Sequence, residues 1–312
     1  MPIITRREWE TRGARITPET AVIGRRTLLG ASASLALAGR SVRAAEAPAL
    51  PEAAPRNPAF DGGRALTEEK WAETYNNYYE WGEDKTIWRD AQALKQRPWT
   101  VKFEGLLNQP RVVGVDDLLK QMPLEERVYR HRCVEAWAMT VPWTGFPLQA
   151  LLKMAEPLGS AKFVVFETVQ DPSMPNLRNP IYPWPYVEAL TMDEAANDLA
   201  FMSVGLFGKP LPPQNGGPIR LTVPWKYGFK SAKSIGTIRF AEKRPTTFWE
   251  GINPDEYGFW ANVNPNVPHP RWSQANERLI GTNDRAPTQI YNGYGSSVAA
   301  LYAGRQSEKL YM

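Results

Sequence analysis

Cys133 is the only cysteine in this chain of 312 residues, so no internal disulfide can hold the fold together. Stability must come from buried apolar surface, and the single thiol must be buried, bound or left open to oxidation. A lone cysteine is often just a small buried hydrophobe. This one stands in "YRHRCVEAWAMTVPW", where Arg130 and Arg132 are expected to raise the local potential and favour the thiolate, the form that ligates metals. A thiolate is a soft ligand, suited to a soft or redox-active metal centre. On the flanking residues, the ligand reading leads.

The first 47 or so residues read as an export signal. In "GRRTLLG" the pair Arg25-Arg26 precedes an apolar run, Leu28 to Gly39, and Arg40, Arg43 and a group of alanines follow. The run is too short to span a bilayer, which needs about 20 residues. The pattern fits the twin-arginine route, with cleavage near residue 47 and a periplasmic destination. That route carries folded proteins, often ones whose cofactor is inserted beforehand. Arg6-Arg7 has no apolar run behind it and is discounted.

The formal charge of +4 belongs to the signal. Removing 8 of the 37 Lys and Arg and 3 of the 33 Asp and Glu in residues 1–44 leaves 29 basic against 30 acidic residues. Nothing in that balance favours nucleic acid. Only His131 and His269 represent histidine, which argues against a histidine-built zinc site. The segments lack GxxxxGK[ST], and no GxGxxG follows a strand, so a nucleotide site of those kinds is unsupported.

After an extended lead-in (48–70), residues 71–312 are expected to form one catalytic domain. Alternation predicts strands over Trp99–Leu107 and "ERVYRHRCV", with Tyr129, His131 and Cys133 on one face and Arg130 and Arg132 on the other. "QPRVVGV" closes a hairpin with the first of these. Further strands are expected over Ala161–Val169, Ile219–Val223 and Ile235–Phe240, and a strand or strand-turn over Leu199–Gly208. Leu148, Leu151, Leu152 and Ala155 make a helical stripe, placing a helix over Pro147–Glu156. Short helices are also expected over Asp117–Met122, capped by Asp116, and over Met192–Asn197. "WAETYNNYYEWG" (Trp71–Gly82) has no clear period. Mixed strands with scattered short helices give an α+β fold.

Taken alone, "PPQNGGPIR" and "VPWKYGFKSAKS" are a glycine-rich turn and a basic loop. Together with "YNNYYEWG", "RCVEAWAMTVPWTGFPL" and "DEYGFWANVNPNVPHPRWSQANERLIG", they resemble the molybdenum-containing catalytic subunit of the periplasmic protein-methionine-sulfoxide reductases, a family of the sulfite-oxidase fold. The likeness runs from about Trp71 to Arg305.

That resemblance implies one molybdopterin without an attached nucleotide, its dithiolene holding molybdenum beside the Cys133 thiolate. It places cofactor contacts on Asn76, Tyr79, Glu80, Thr168, Asn215, Arg220, Ser231, Ala232 and Lys233. Amides suit a pterin edge of mixed donors and acceptors, and Arg220 and Lys233 suit a phosphate, with backbone N–H groups of Ser231 and Ala232 beside it. His131 shares the face of Cys133, Glu135 is expected to pair with a nearby arginine, and Trp137, Trp143 and Trp225 to serve as walls and core. Oxygen would pass from methionine sulfoxide of envelope proteins to molybdenum(IV) and leave as water. Electrons would come from a membrane haem subunit fed by quinol, and the chain itself would be a monomer.

Two other functions fit the same residues. Sulfite oxidation runs the chemistry in reverse, although no arginine cluster beyond Arg130, Arg132 and Arg220 is evident for holding a small dianion. An exported anion-binding module would use the basic, aromatic cleft with Cys133 merely buried.

Overall fold

Runs of β-branched and aromatic residues extend the chain into two sheets. In the computed structural model, which describes residues 54–311, the larger sheet holds β1 (Arg56–Asp61), β4 (Glu125–Arg132), β5 (Trp137–Pro147), β8 (Phe201–Leu206), β9 (Lys209–Pro210), β10 (Arg220–Thr222), β12 (Asn276–Leu279) and β13 (Arg285–Pro287). The smaller runs in the order β3 (Arg111–Gly114), β2 (Thr100–Gly105), β11 (Ile235–Ala241), β6 (Phe163–Thr168) and β7 (Val187–Thr191). Helices are short: α1 (Glu69–Thr74), α2 (Val115–Leu119), α3 (Leu148–Ala155), α4 (Met192–Ala195), α5 (Phe248–Ile252) and α6 (Gly295–Val298). The expected α+β class is what these elements form. The expected signal lies outside the described residues.

β5 is the axis of the larger sheet. β4 pairs antiparallel along one edge of it, while on the other edge β12 takes Trp137 and Ala138 and β8 takes Trp143 to Pro147. Residues Trp137 to Phe146 are all buried. A strand covered on both faces shows no alternation, so the periodicity that predicts β2 and β4 is silent here. The register shifts between Thr144 and Gly145, and a Cβ on Gly145 would stand 2.0 Å from the Met202 carbonyl oxygen. Only glycine allows that approach.

α3 buries Leu148, Leu151, Leu152 and Ala155, the stripe that predicts it. α2 differs from expectation: Gly114 precedes it without a side-chain cap, and Asp116 lies inside its first turn, where a carboxylate meets the positive end of the helix. α4 is shorter than expected and is fixed by reciprocal bonds between Thr191 and Glu194. α1 falls partly in the segment read as aperiodic; it buries Ala72 alone, too little for a stripe. The extended lead-in gives up Arg56–Asp61 to β1, which pairs parallel with β4.

Three strand ends point toward one place. The turn from β4 to β5, the end of β6 and the loop between β10 and β11 surround a cavity of about 620 Å³.

Candidate functional site

Cys133 sits at the tip of the turn between β4 and β5. Its N–H donates to the Trp137 carbonyl at 2.9 Å and its carbonyl accepts from Ala136 at 3.0 Å. Ala136 takes a left-handed backbone with φ of 65°, a conformation that alanine adopts at a cost of about 1–2 kcal/mol. From this turn Cys133 and Glu135 both face the cavity, together with His131 two residues back on the strand.

The arginines do less than their sequence position implies: Arg132 favours the Cys133 thiolate, but burial and Glu135 outweigh it. Arg132 is buried and pairs with Glu277 at 3.1 Å, and its guanidinium also donates to the Cys133 carbonyl, bracing the turn from behind. Arg130 donates to the Gly62 carbonyl at 2.7 Å and to Gln289 at 2.6 Å. Neither lines the cavity. Burial first, and the Glu135 carboxylate next, push the Cys133 thiol up to about 12. A thiolate there therefore requires positive charge from the ligand itself, as a metal ion supplies.

Glu135 pairs with a lysine rather than an arginine. Lys85 Nζ lies 2.9 Å from it, and Asn77 and the Trp137 indole donate to it at 2.9 and 3.0 Å. Burial opposes the charge, but these donors outweigh it and hold the carboxyl below its usual range. Asn77 Nδ2 also reaches Cys133 Sγ at 3.5 Å, and Glu135 Oε2 lies 3.7 Å from it. Asn77 and Lys85 are cavity residues that sequence reading misses; their signal is the neighbouring amide motif itself.

At the buried end stands Arg220, 2 % exposed, bonded only to the carbonyls of Leu221, Asn215 and Ser231. It has no carboxylate partner among the described residues, and burial pulls it down to about 10. Lys233 lines the same end; burial and then the Arg220 charge lower it, while Glu80 draws it back. Glu80 is raised to about 7, mainly by burial. Gly216, with φ of 96°, leaves room for Lys233, whose Cβ lies 2.7 Å from where a Gly216 Cβ would be. Cations and burial together, led by burial, keep His131 well below its ordinary value and hence neutral.

Asn76, Tyr79, Glu80, Cys133, Thr168, Asn215, Arg220 and Lys233 all line the cavity. Ser231 and Ala232 do not: Ser231 donates its N–H to Gly228 and its hydroxyl accepts from Val223, which sets it behind the wall. Trp137 is a wall, whereas Trp143 and Trp225 are wholly buried core. The mouth brings in two arginines missed by sequence reading, Arg271 and Arg278. Arg271 is tied to Glu256 at 2.7 Å.

Does this wall suit a molybdenum pterin? Asn76 and Asn215 both donate to the Ala72 carbonyl at 3.0 Å, leaving each Oδ1 buried without a donor, as is Glu80 Oε1. Unmatched buried acceptors are costly, and the N–H groups of a pterin would satisfy them. Arg220 with Lys233 offers an unmatched positive end for a phosphate. No group of three or more His, Cys, Asp or Glu that could hold a metal occurs among the described residues, so a metal at Cys133 must bring other ligands with it. The residues fit.

Comparison with known proteins agrees. The family described as "Oxidoreductase molybdopterin binding domain" matches residues 89–249. A curated protein of Burkholderia mallei, the protein-methionine-sulfoxide reductase catalytic subunit MsrP, is 49% identical over 96% of this chain and 95% of its own length. The protein of the same name from Ralstonia nicotianae is 46% identical, again over 96% of this chain and 95% of its own. Among solved structures, the sulfane dehydrogenase SoxCD of Paracoccus pantotrophus aligns with a TM-score of 0.43 at 15% identity, over 73% of this chain and 60% of that one.

Proposed function

We infer the activity from one premise: the chain belongs to the oxidoreductase molybdopterin-binding family, among its protein-methionine-sulfoxide reductase catalytic subunits. It is a molybdopterin-dependent oxidoreductase that removes the oxygen of methionine sulfoxide in proteins. The observation that carries the site assignment is Arg220, buried with no carboxylate partner among the described residues, in a cavity that the Cys133 thiol also lines.

The bound cofactor supplies the two-electron oxygen-atom chemistry. The chain supplies the rest. Arg220 and Lys233 hold the phosphate, while Asn76, Asn215 and Glu80 accept from the pterin. A single cationic end suits a pterin without an attached nucleotide. Cys133 ligates the metal, and the Lys85–Glu135–Asn77 network fixes the groups that touch its sulfur. Tyr75, Trp249, Tyr257 and Trp272 give the mouth an aromatic lining, suited to a neutral, protein-borne side chain.

The substrates are oxidised proteins of the periplasm, reached by twin-arginine export. Electrons arrive from a membrane subunit carrying haem and fed by quinol, docking transiently on a monomeric catalytic chain. The export signal at Arg25-Arg26 and the family resemblance support these readings.

Stopped-flow mixing of dithionite-reduced protein with an oxidised, methionine-sulfoxide-bearing protein tests the activity. Rapid reoxidation of the centre is expected, with sulfite a poor reductant of the oxidised form. Fast reduction by sulfite with no response to oxidised protein would replace this reading by sulfite oxidation.

A further inference from the structure

Two residues of the cavity wall, Tyr75 and Arg278, are joined to each other. Tyr75 follows α1, and Arg278 lies on β12 in register with Trp137 of β5. Arg278 Nη2 donates to the Tyr75 hydroxyl oxygen at 2.7 Å, and Nη1 donates to Asn283 at 2.9 Å. The guanidinium carbon stands 5.2 Å from the Tyr75 ring centre. Arg278 forms no ion pair among the described residues, so its charge bears on Tyr75 rather than on a carboxylate.

A phenol oxygen that accepts from a cation still has its own proton to give. That proton finds no acceptor among the described residues, and Tyr75 is half-buried on the cavity wall. The donors that meet Glu135 beside the thiol are engaged: Asn77, Lys85 and the Trp137 indole all serve that carboxylate. The Tyr75 ring packs edge-on against Trp137 at 5.4 Å, so the free hydroxyl belongs to the same wall as the Glu135–Cys133 contact. A sulfoxide is neutral overall, yet its S–O bond is strongly polarised and its oxygen is a good acceptor. A donor held by a fixed cation, on the wall that carries the Glu135–Cys133 contact, matches that oxygen.

We propose that Tyr75 donates a hydrogen bond to the sulfoxide oxygen of the substrate side chain. Arg278 is its positioning residue, holding the phenol oxygen so that the proton faces the cavity. This rests on the reductase reading above and adds the group that recognises the oxygen.

The test uses the holoenzyme, with molybdenum content measured in every variant. Two peptides of one sequence serve as inhibitors, one carrying methionine sulfone and one carrying methionine. Tyr75→Phe is expected to weaken the sulfone peptide roughly fivefold, the loss of one hydrogen bond, and to leave the methionine peptide unchanged. Arg278→Ala should follow Tyr75→Phe, and Arg278→Lys should recover part of the difference. Equal weakening of both peptides, or no change in either, would overturn the proposal while leaving the activity in place. A wild-type holoenzyme that fails to reduce the corresponding sulfoxide peptide would overturn both.

Discussion

Arg220 and Lys233 show how much of a binding site is written in charges left uncompensated. A guanidinium buried on carbonyls alone is lowered by burial and wants an anion, and Lys233 beside it is lowered for the same reason. Arg220→Ala or Lys233→Ala each removes a charge-assisted contact worth about 1.5–3 kcal/mol. The expected result is a cofactor affinity reduced by about ten- to hundredfold, read as pterin and molybdenum retained through gel filtration. Full retention in both variants would remove the phosphate from this end of the cavity. Cys133 was legible as a cavity residue from its type, but the help expected of its flanking arginines is outweighed by burial and by Glu135. Arg132 is paired with Glu277, and its charge on the thiol is smaller than the opposing effects of burial and Glu135.

The same limit governs the elements. α3 and the β2–β3 hairpin were readable because one face of each is buried and a period results. β5 was not, because both its faces are covered, and the Glu135 network was not, because Glu135 lies 58 residues from Asn77 and 50 from Lys85. Lys230, in the turn before Lys233, is similar: it belongs to a segment that reads as a basic loop, yet it is fully buried against Glu188 of β7 at 2.7 Å. This pair ties the basic loop to the smaller sheet. Glu188→Ala strands the lysine charge and should lower the unfolding free energy by about 3–5 kcal/mol, whereas Glu188→Leu combined with Lys230→Met should recover most of it. Burial raises Glu188 from 4.5 to about 7, so the folded chain holds that proton more tightly than the unfolded one. Its contribution to stability is full below about pH 4.5 and is lost as pH rises through about 7. Urea unfolding across that window should show wild type falling relative to Glu188→Gln; parallel curves would contradict it.

At the scale of the whole molecule, the excess basic charge sits in residues 1–44, with 8 basic and 3 acidic residues, and the remainder is nearly neutral, 29 basic against 30 acidic. We propose that residues 1–47 are a twin-arginine signal, so changing Arg25 and Arg26 together to Lys should hold the precursor in the cytoplasm without altering the folded enzyme. Fractionation that still finds mature protein in the periplasm would mean a different export route. The central claim is that the cavity between the strand ends holds a molybdenum pterin through Cys133, and X-ray absorption at the molybdenum edge tests it most directly. Purified wild type is expected to contain near-stoichiometric molybdenum, and Cys133→Ser to lose one sulfur neighbour of the metal together with turnover, pterin remaining bound through Arg220 and Lys233. An unchanged sulfur shell in Cys133→Ser, or full sulfoxide reduction by protein without molybdenum, would contradict the account.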